Sequence, residues 1–156
     1  MTHLVRRPHV AFGTVLAVFV LVGTHPAVAM EAIDLEKGPQ LPMIATDELH
    51  AALQARLPIV VVDARGPEVY AQGHIPGALN VPEDQAEKIS TGFPKQAVIV
   101  VYCGGPQCPH SLIVGRWLVA HGWSRVRHYT QGLPGWQEAG YPVQRESVAP
   151  QIAREK

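Results

Sequence analysis

The sequence has no surplus of charge of either sign: thirteen Lys and Arg stand against thirteen Asp and Glu. A chain that neutralises rows of phosphates needs a basic excess, so this balance argues against nucleic acid as a partner. Cysteine is scarce. Two residues, Cys103 and Cys108, allow at most one internal bridge and exclude a scaffold built on disulfides. Long apolar runs near the N-terminus are lacking too. Ala11 to Gly23 goes 13 residues without a charge, which rises only about 20 Å as a helix, short of the roughly 30 Å hydrocarbon core of a bilayer. What is present is ordinary for a globular domain: 47% hydrophobic and 17% charged residues over 156 positions, enough for one core and too apolar for wholesale disorder.

The short apolar run has a telling setting. Arg6 and Arg7 precede it and Ala27-Val28-Ala29 follows, the order of charged region, apolar region and small-residue cleavage site in a secretory signal. The expectation is a signal peptide over 1–29, cut after Ala29, on an exported protein, periplasmic in a Gram-negative source. Cleavage would leave no stable membrane insertion; the alternative is an uncleaved anchor. The remaining 127 residues carry eleven basic and thirteen acidic side chains, a net charge of −2. Export would also place both cysteines in an oxidising compartment.

Residues 30–41 lack periodicity and read as an N-terminal arm, 42–145 as the domain, and 146–156 as a polar tail, with fraying expected from Gln144 onward. Thr46 reads as the N-cap of a helix with acids in its first turn, running to about Ala55 with Leu49, Ala52 and Leu53 inward. Two uninterrupted apolar runs, Ile59 to Val62 and Ala97 to Tyr102, read as strands buried on both faces. Leu79 to Val81 and Val126 to Tyr129 supply shorter strands. A helix carrying Glu68, Val69 and Tyr70 is expected after Gly66-Pro67, with a helix and loop from Asp84 to Phe93. Another helix spans Leu112 to His121, with Ile113, Trp117 and Ala120 facing the sheet and Gly122 as its cap. A last helix runs from Gly132 to Gly140. This alternation predicts an α/β fold: a mostly parallel central sheet flanked by helices on both faces. In such sheets ligands bind beyond the carboxyl ends of the strands, where Asp63, Arg65 and Cys103 fall.

Cys103 leaves a buried strand into Gly104-Gly105-Pro106-Gln107-Cys108-Pro109 and then a helix. Loop amides curled around the sulfur and the positive end of the helix both favour thiolate over thiol. Such a thiolate can attack a sulfane sulfur, a phosphate or a disulfide, and the local pattern does not choose among them.

Three segments carry a resemblance that does choose. The run VVDARGPEVYAQGHIPGALNV, ending at Val81, resembles the first half of a rhodanese-like domain, with its strand, D-x-R and G-H-I-P-G-A turn. Val98 to Cys103 resembles the strand that delivers the family's active-site cysteine. Gly132-Leu-Pro-Gly-Trp136 through Gly140-Tyr-Pro-Val143 is similar to the family's closing stretch. The resemblance extends from about Ile44 to Val143 and implies a sulfurtransferase. Cys103 would take a sulfane sulfur from thiosulfate or a similar anion as a persulfide and pass it to a thiol, to another thiophile or to a protein sulfur acceptor. Gly104, Gly105, Gln107 and Cys108 would hold the anion through their amides, with Arg65 beside them bracing the loop or touching the anion. Asp63 and His74 would support the architecture. No cofactor and no metal is implied; Cys103, Cys108 and His110 lie close in sequence, but no second ligand pair accompanies them and Pro109 constrains them.

The loop departs from the family pattern. Cys108 stands where the compact form carries an arginine or another polar residue, and the segment runs about two residues longer. No arginine lies between Gly104 and Leu112 to clamp a phosphate, which argues against the phosphatases of this fold and removes a cationic clamp for thiosulfate. The second cysteine opens two rival readings. If the Cα atoms lie within about 7 Å, the pair can form a disulfide, either as a redox-gated thiol–disulfide module in which Cys108 resolves a persulfide or sulfenate on Cys103, or as an inert staple in a noncatalytic binding scaffold.

Overall fold

The computed structural model describes residues 38–146. The expected signal peptide, most of the arm and all but the first residue of the tail lie outside the described residues.

The two apolar runs form the centre of the sheet. Strand β1 (Ile59–Asp63) pairs in parallel with β3 (Val98–Tyr102), and the shorter β2 (Leu79–Asn80) and β4 (Val126–Tyr129) flank them in the order β2-β1-β3-β4, all parallel. The register puts Asn80, Asp63, Tyr102 and Tyr129 side by side in one row across the carboxyl end of the sheet. Cys103 is the next residue out.

Alternation along β3 sorts the core into two layers. Ile99 and Val101 join Val62, Val114, Leu118 and Trp123 on one face; Val100 and Tyr102 join Val61, Leu49, Leu133 and Trp136 on the other. Helices α3 (Ala86–Ser90) and α4 (His110–Ala120) cover the first face, and α1 (Thr46–Gln54) and α5 (Gly132–Glu138) the second. The expected sheet with helices on both faces is therefore what forms. Among the described residues, no helix is long and apolar enough to cross a membrane.

Local details correct the sequence reading. Helix α1 does begin at Thr46, with Asp47 and Glu48 in its first turn, but Ala45 occupies the cap position and makes no side-chain cap. The Thr46 hydroxyl instead reaches the Tyr129 phenol at 3.1 Å, because the helix end is packed against β4 rather than exposed. Helix α4 starts two residues before the expected Leu112 and buries Ser111, Val114, Gly115, Arg116 and Leu118. Ile113 and Trp117 are only half-buried and Ala120 is exposed. The sheet-facing stripe is set by Gly115, where an added Cβ would stand 2.5 Å from Leu41 Cδ1. Leu41, assigned to the arm, is thus a core residue. The end of α4 follows expectation: Gly122 has φ +94°, and its amide and that of Trp123 donate back to Val119 and Leu118.

Helix α2 (Pro67–Gln72) opens with proline in its first turn, and a 3-10 turn (Glu83–Gln85) leads into α3. The segment after α5 does not fray at once. Gln144 exchanges two backbone hydrogen bonds with His74 at 2.9 Å, and the Glu146 amide donates to Ala71. At the other edge, Met43 bridges His128 of β4 in parallel: His128 donates to Pro42 O and accepts from the Ile44 amide.

Candidate active site at the carboxyl end of the central strand

Cys103 emerges from the most buried strand and is itself 1% exposed. The chain turns through Gly104 to Pro109 and re-enters as α4. Across this turn Cys103 and Cys108 are joined as a disulfide, with Cα atoms 6.1 Å apart, inside the geometric limit for bridging. Cys108, half-buried, is the more accessible sulfur.

The amides of Gly104, Gly105 and Gln107 donate to no protein acceptor among the described residues. The first two amides of α4, those of His110 and Ser111, are likewise without an acceptor, as at any helix start, while those of Leu112 and Ile113 donate to Pro109 O. Unspent amides in the turn that follows a strand-end cysteine are the raw material of an anion nest. The Cys108 amide, expected in the same nest, is already spent on Gly105 O at 3.1 Å, closing a tight turn.

Gly132, absent from the expected site, proves to be its floor. It has φ +59°, a region that disfavours any residue with a Cβ. An added Cβ would stand 2.5 Å from the Gly105 nitrogen and closer still to the Cys103 carbonyl oxygen. The next residue, Leu133, donates its amide to that carbonyl at 3.1 Å. The start of α5 is therefore pressed against the backbone of the loop. The sequence signal was a glycine opening a helix, a position where glycine has no propensity advantage.

Beside the loop sits a buried ion pair. Asp63, fully buried, accepts the Arg65 amide (3.0 Å) and Nε (2.9 Å) on Oδ1 and Nη2 (2.5 Å) on Oδ2. Arg65 Nη2 also donates to Gly73 O at 2.7 Å. Burial opposes the guanidinium charge, but the Asp63 hydrogen bond and its charge outweigh it and raise the Arg65 pKa above its ordinary value. Arg65 lies close to Gly104, where a Cβ would meet its Cδ at 3.9 Å. Its Nε and Nη2 are committed to Asp63 and to Gly73 O, and neither partner belongs to the cysteine loop. Asn80 Nδ2 ties the same corner, donating to Asp63 O and Arg65 O. The Tyr102 phenol accepts the Ile75 amide at 3.0 Å, and burial, then the Asp63 charge, push its pKa far up. It is a neutral hydrogen-bonding post at neutral pH.

His74 is 1% exposed, stacks on Tyr70 at 3.8 Å and donates from Nδ1 to Tyr70 O at 2.9 Å. Its contacts clamp the turn before β2 and none reaches the cysteine loop. On the far side of the loop, His110 pairs with Glu83 at 3.2 Å on the surface. Beneath it, buried Ser111 is hydrogen-bonded to His128 Nε2 at 2.9 Å. Neither pair was expected, since their partners are 27 and 17 residues apart in sequence.

Comparison with known proteins agrees with this geometry. The family model for the rhodanese-like domain matches residues 45–139. A sulfurtransferase of Allochromatium vinosum is 29% identical over 108 residues, covering 69% of this chain and 95% of that protein. An HTH-type transcriptional regulator of Mycobacterium tuberculosis is 32% identical over 88 residues, 54% of this chain; the match spans only 37% of the regulator. Among solved structures, a thiosulfate sulfurtransferase from Pseudomonas aeruginosa superposes with a TM-score of 0.60 at 26% identity, over 69% of this chain and 21% of that one.

Proposed function

Because the chain belongs to the rhodanese-like domain family, whose model matches 45–139, we propose that its reduced form is a sulfurtransferase in which Cys103 carries a sulfane sulfur. The Cys103 thiolate attacks the outer sulfur of thiosulfate or a similar anion, the sulfur–sulfur bond of the donor breaks, and sulfite leaves. The persulfide then gives its outer sulfur to a thiol, to another thiophile or to a protein acceptor. The observation that carries this reading is the placement of Cys103 at the end of the central strand, opening a loop in which three amides are unspent. Turned toward the sulfur in the reduced loop, those donors would stabilise the negative terminal sulfur. The thiosulfate sulfurtransferase among the structural relatives supports thiosulfate as the first donor to try.

The disulfide favours a gate on this activity. Cys103 bonded to Cys108 has no thiolate to offer, so the oxidised domain is idle until a thiol opens it. Export through the segment 1–29 would place the protein where that gate closes readily.

The test is intact mass on the reduced Cys108→Ser protein, in which the gate cannot close. Thiosulfate should add about 32 Da, one sulfur as a persulfide, and the added Cys103→Ser change should abolish it. No gain, or a gain that survives Cys103→Ser, refutes the reading.

A further inference from the structure

In the persulfide cycle proposed above, on which this inference rests, Cys108 has no task. Its position gives it one. Its sulfur reaches bonding contact with Cys103 across a Cα separation of 6.1 Å. The turn closed by the Cys108 amide on Gly105 O presents it there. An acceptor from solution must approach a cysteine that is 1% exposed, whereas Cys108 is already inside the loop. A nucleophile held this way acts at an effective concentration far above that of free thiols. The start of α4, two residues on, favours its thiolate.

We propose that Cys108 resolves the Cys103 persulfide within the same chain, which makes the domain a sulfide-releasing thiosulfate reductase. Cys108 Sγ attacks Cys103 Sγ; the bond from Cys103 to the outer sulfur breaks as the Cys103–Cys108 bond forms. The outer sulfur leaves as hydrosulfide and takes the Cys108 thiol proton. The two cysteines lose two electrons and the sulfane sulfur gains them. The disulfide of the structure is then the product state of a turnover. A dithiol reductant reopens it by attacking Cys108, the more accessible sulfur. Cys103 departs as the thiolate, and the reductant becomes a disulfide.

The experiment uses the full chain, reduced, freed of reductant and kept without oxygen, then given thiosulfate and no other thiol. The wild-type protein should release about one equivalent each of sulfite and sulfide and finish about 2 Da below its dithiol mass. Dithiothreitol should make release repeat. Cys108→Ser, or Cys108→Ala if the serine variant folds poorly, should release sulfite alone and hold about 32 Da as the persulfide. A wild-type protein that holds the added sulfur and yields no sulfide overturns the inference and leaves the Cys103 reading intact. Sulfide release from the Cys108 variants equal to wild type also overturns it. Absence of sulfite from every variant removes the Cys103 reading, and this inference with it.

Discussion

Gly132→Ala should damage the site more than any other single methyl added at a glycine of positive φ, and Gly140→Ala supplies the control that separates two causes. Both glycines have positive φ, +59° and +76°. Forcing an alanine into that region costs about 1–2 kcal/mol. At Gly140 nothing lies within 4 Å of the added Cβ, so the conformational cost stands alone. At Gly132 the Cβ would stand 2.5 Å from Gly105 N and nearer to Cys103 O. Relief from this overlap requires a backbone shift of about 1 Å, with about 1–3 kcal/mol of overpacking. The Leu133-to-Cys103 hydrogen bond would stretch with it. The expected losses are about 1–2 kcal/mol for Gly140→Ala and about 2–5 for Gly132→Ala, read by urea unfolding with the disulfide intact in both. A shift of about 1 Å at a reacting group can lower the rate about 100-fold. Gly132→Ala should therefore lose sulfur loading while Gly140→Ala keeps it. Equal destabilisation of the two variants, or undiminished loading in Gly132→Ala, would show that the Gly132 contact with the loop does not position Cys103.

Three further outcomes are expected. Asp63→Ala leaves the Arg65 guanidinium nearly buried without its carboxylate, which should cost about 3–5 kcal/mol in chemical denaturation; a loss under about 1 kcal/mol would show that the pair is relaxed into water. Opening the Cys103–Cys108 bridge, which closes a loop only five residues long in sequence separation, should cost about 2 kcal/mol by loop entropy, measured in denaturant with and without dithiothreitol; an unchanged midpoint would refute it. Burial, then the Arg116 charge, holds the His128 pKa below its ordinary 6.5. The unfolded chain then binds a proton that the folded one refuses, so stability falls as pH drops below that value, by at most about 1.4 kcal/mol per unit. His128→Gln should shrink the stability difference between about pH 5 and about pH 7.5, and an unaltered difference would contradict the assignment.

The sheet was legible because β1 and β3 are unbroken apolar runs with polar residues only at their carboxyl ends, a pattern that specifies both burial and direction. Asp63, Arg65 and Cys103 could be placed on one rim for the same reason. Periodicity served less well on α4, which carries apolar side chains on nearly every side. Which stripe faces the sheet depends on Leu41 crossing Gly115, a contact 74 residues apart in sequence and invisible to any local window. Thr46 failed as a cap because Tyr129, on another element, competes for its hydroxyl. Gly132 was missed as a site residue because its neighbours in space, Cys103 and Gly105, come from a different loop. The Cys103–Cys108 bridge lay between these cases: spacing allowed it, and only the turn geometry decided it.

The short bridge between Met43 and β4 also governs how this molecule meets its own kind. A parallel sheet ends in strands whose unpaired backbone groups invite another chain to add on. Here Pro42 and Ile44 take up both backbone groups of His128 at that border, and Arg127 anchors the cover through Met43 O and Glu48. The opposite border, β2, is two residues long and is followed by Pro82, which has no amide to offer. Trimming the chain to begin after Ile44 would strip one selvedge and leave β4 open as a template. Such a trimmed protein should self-associate at concentrations where the longer chain sediments as before.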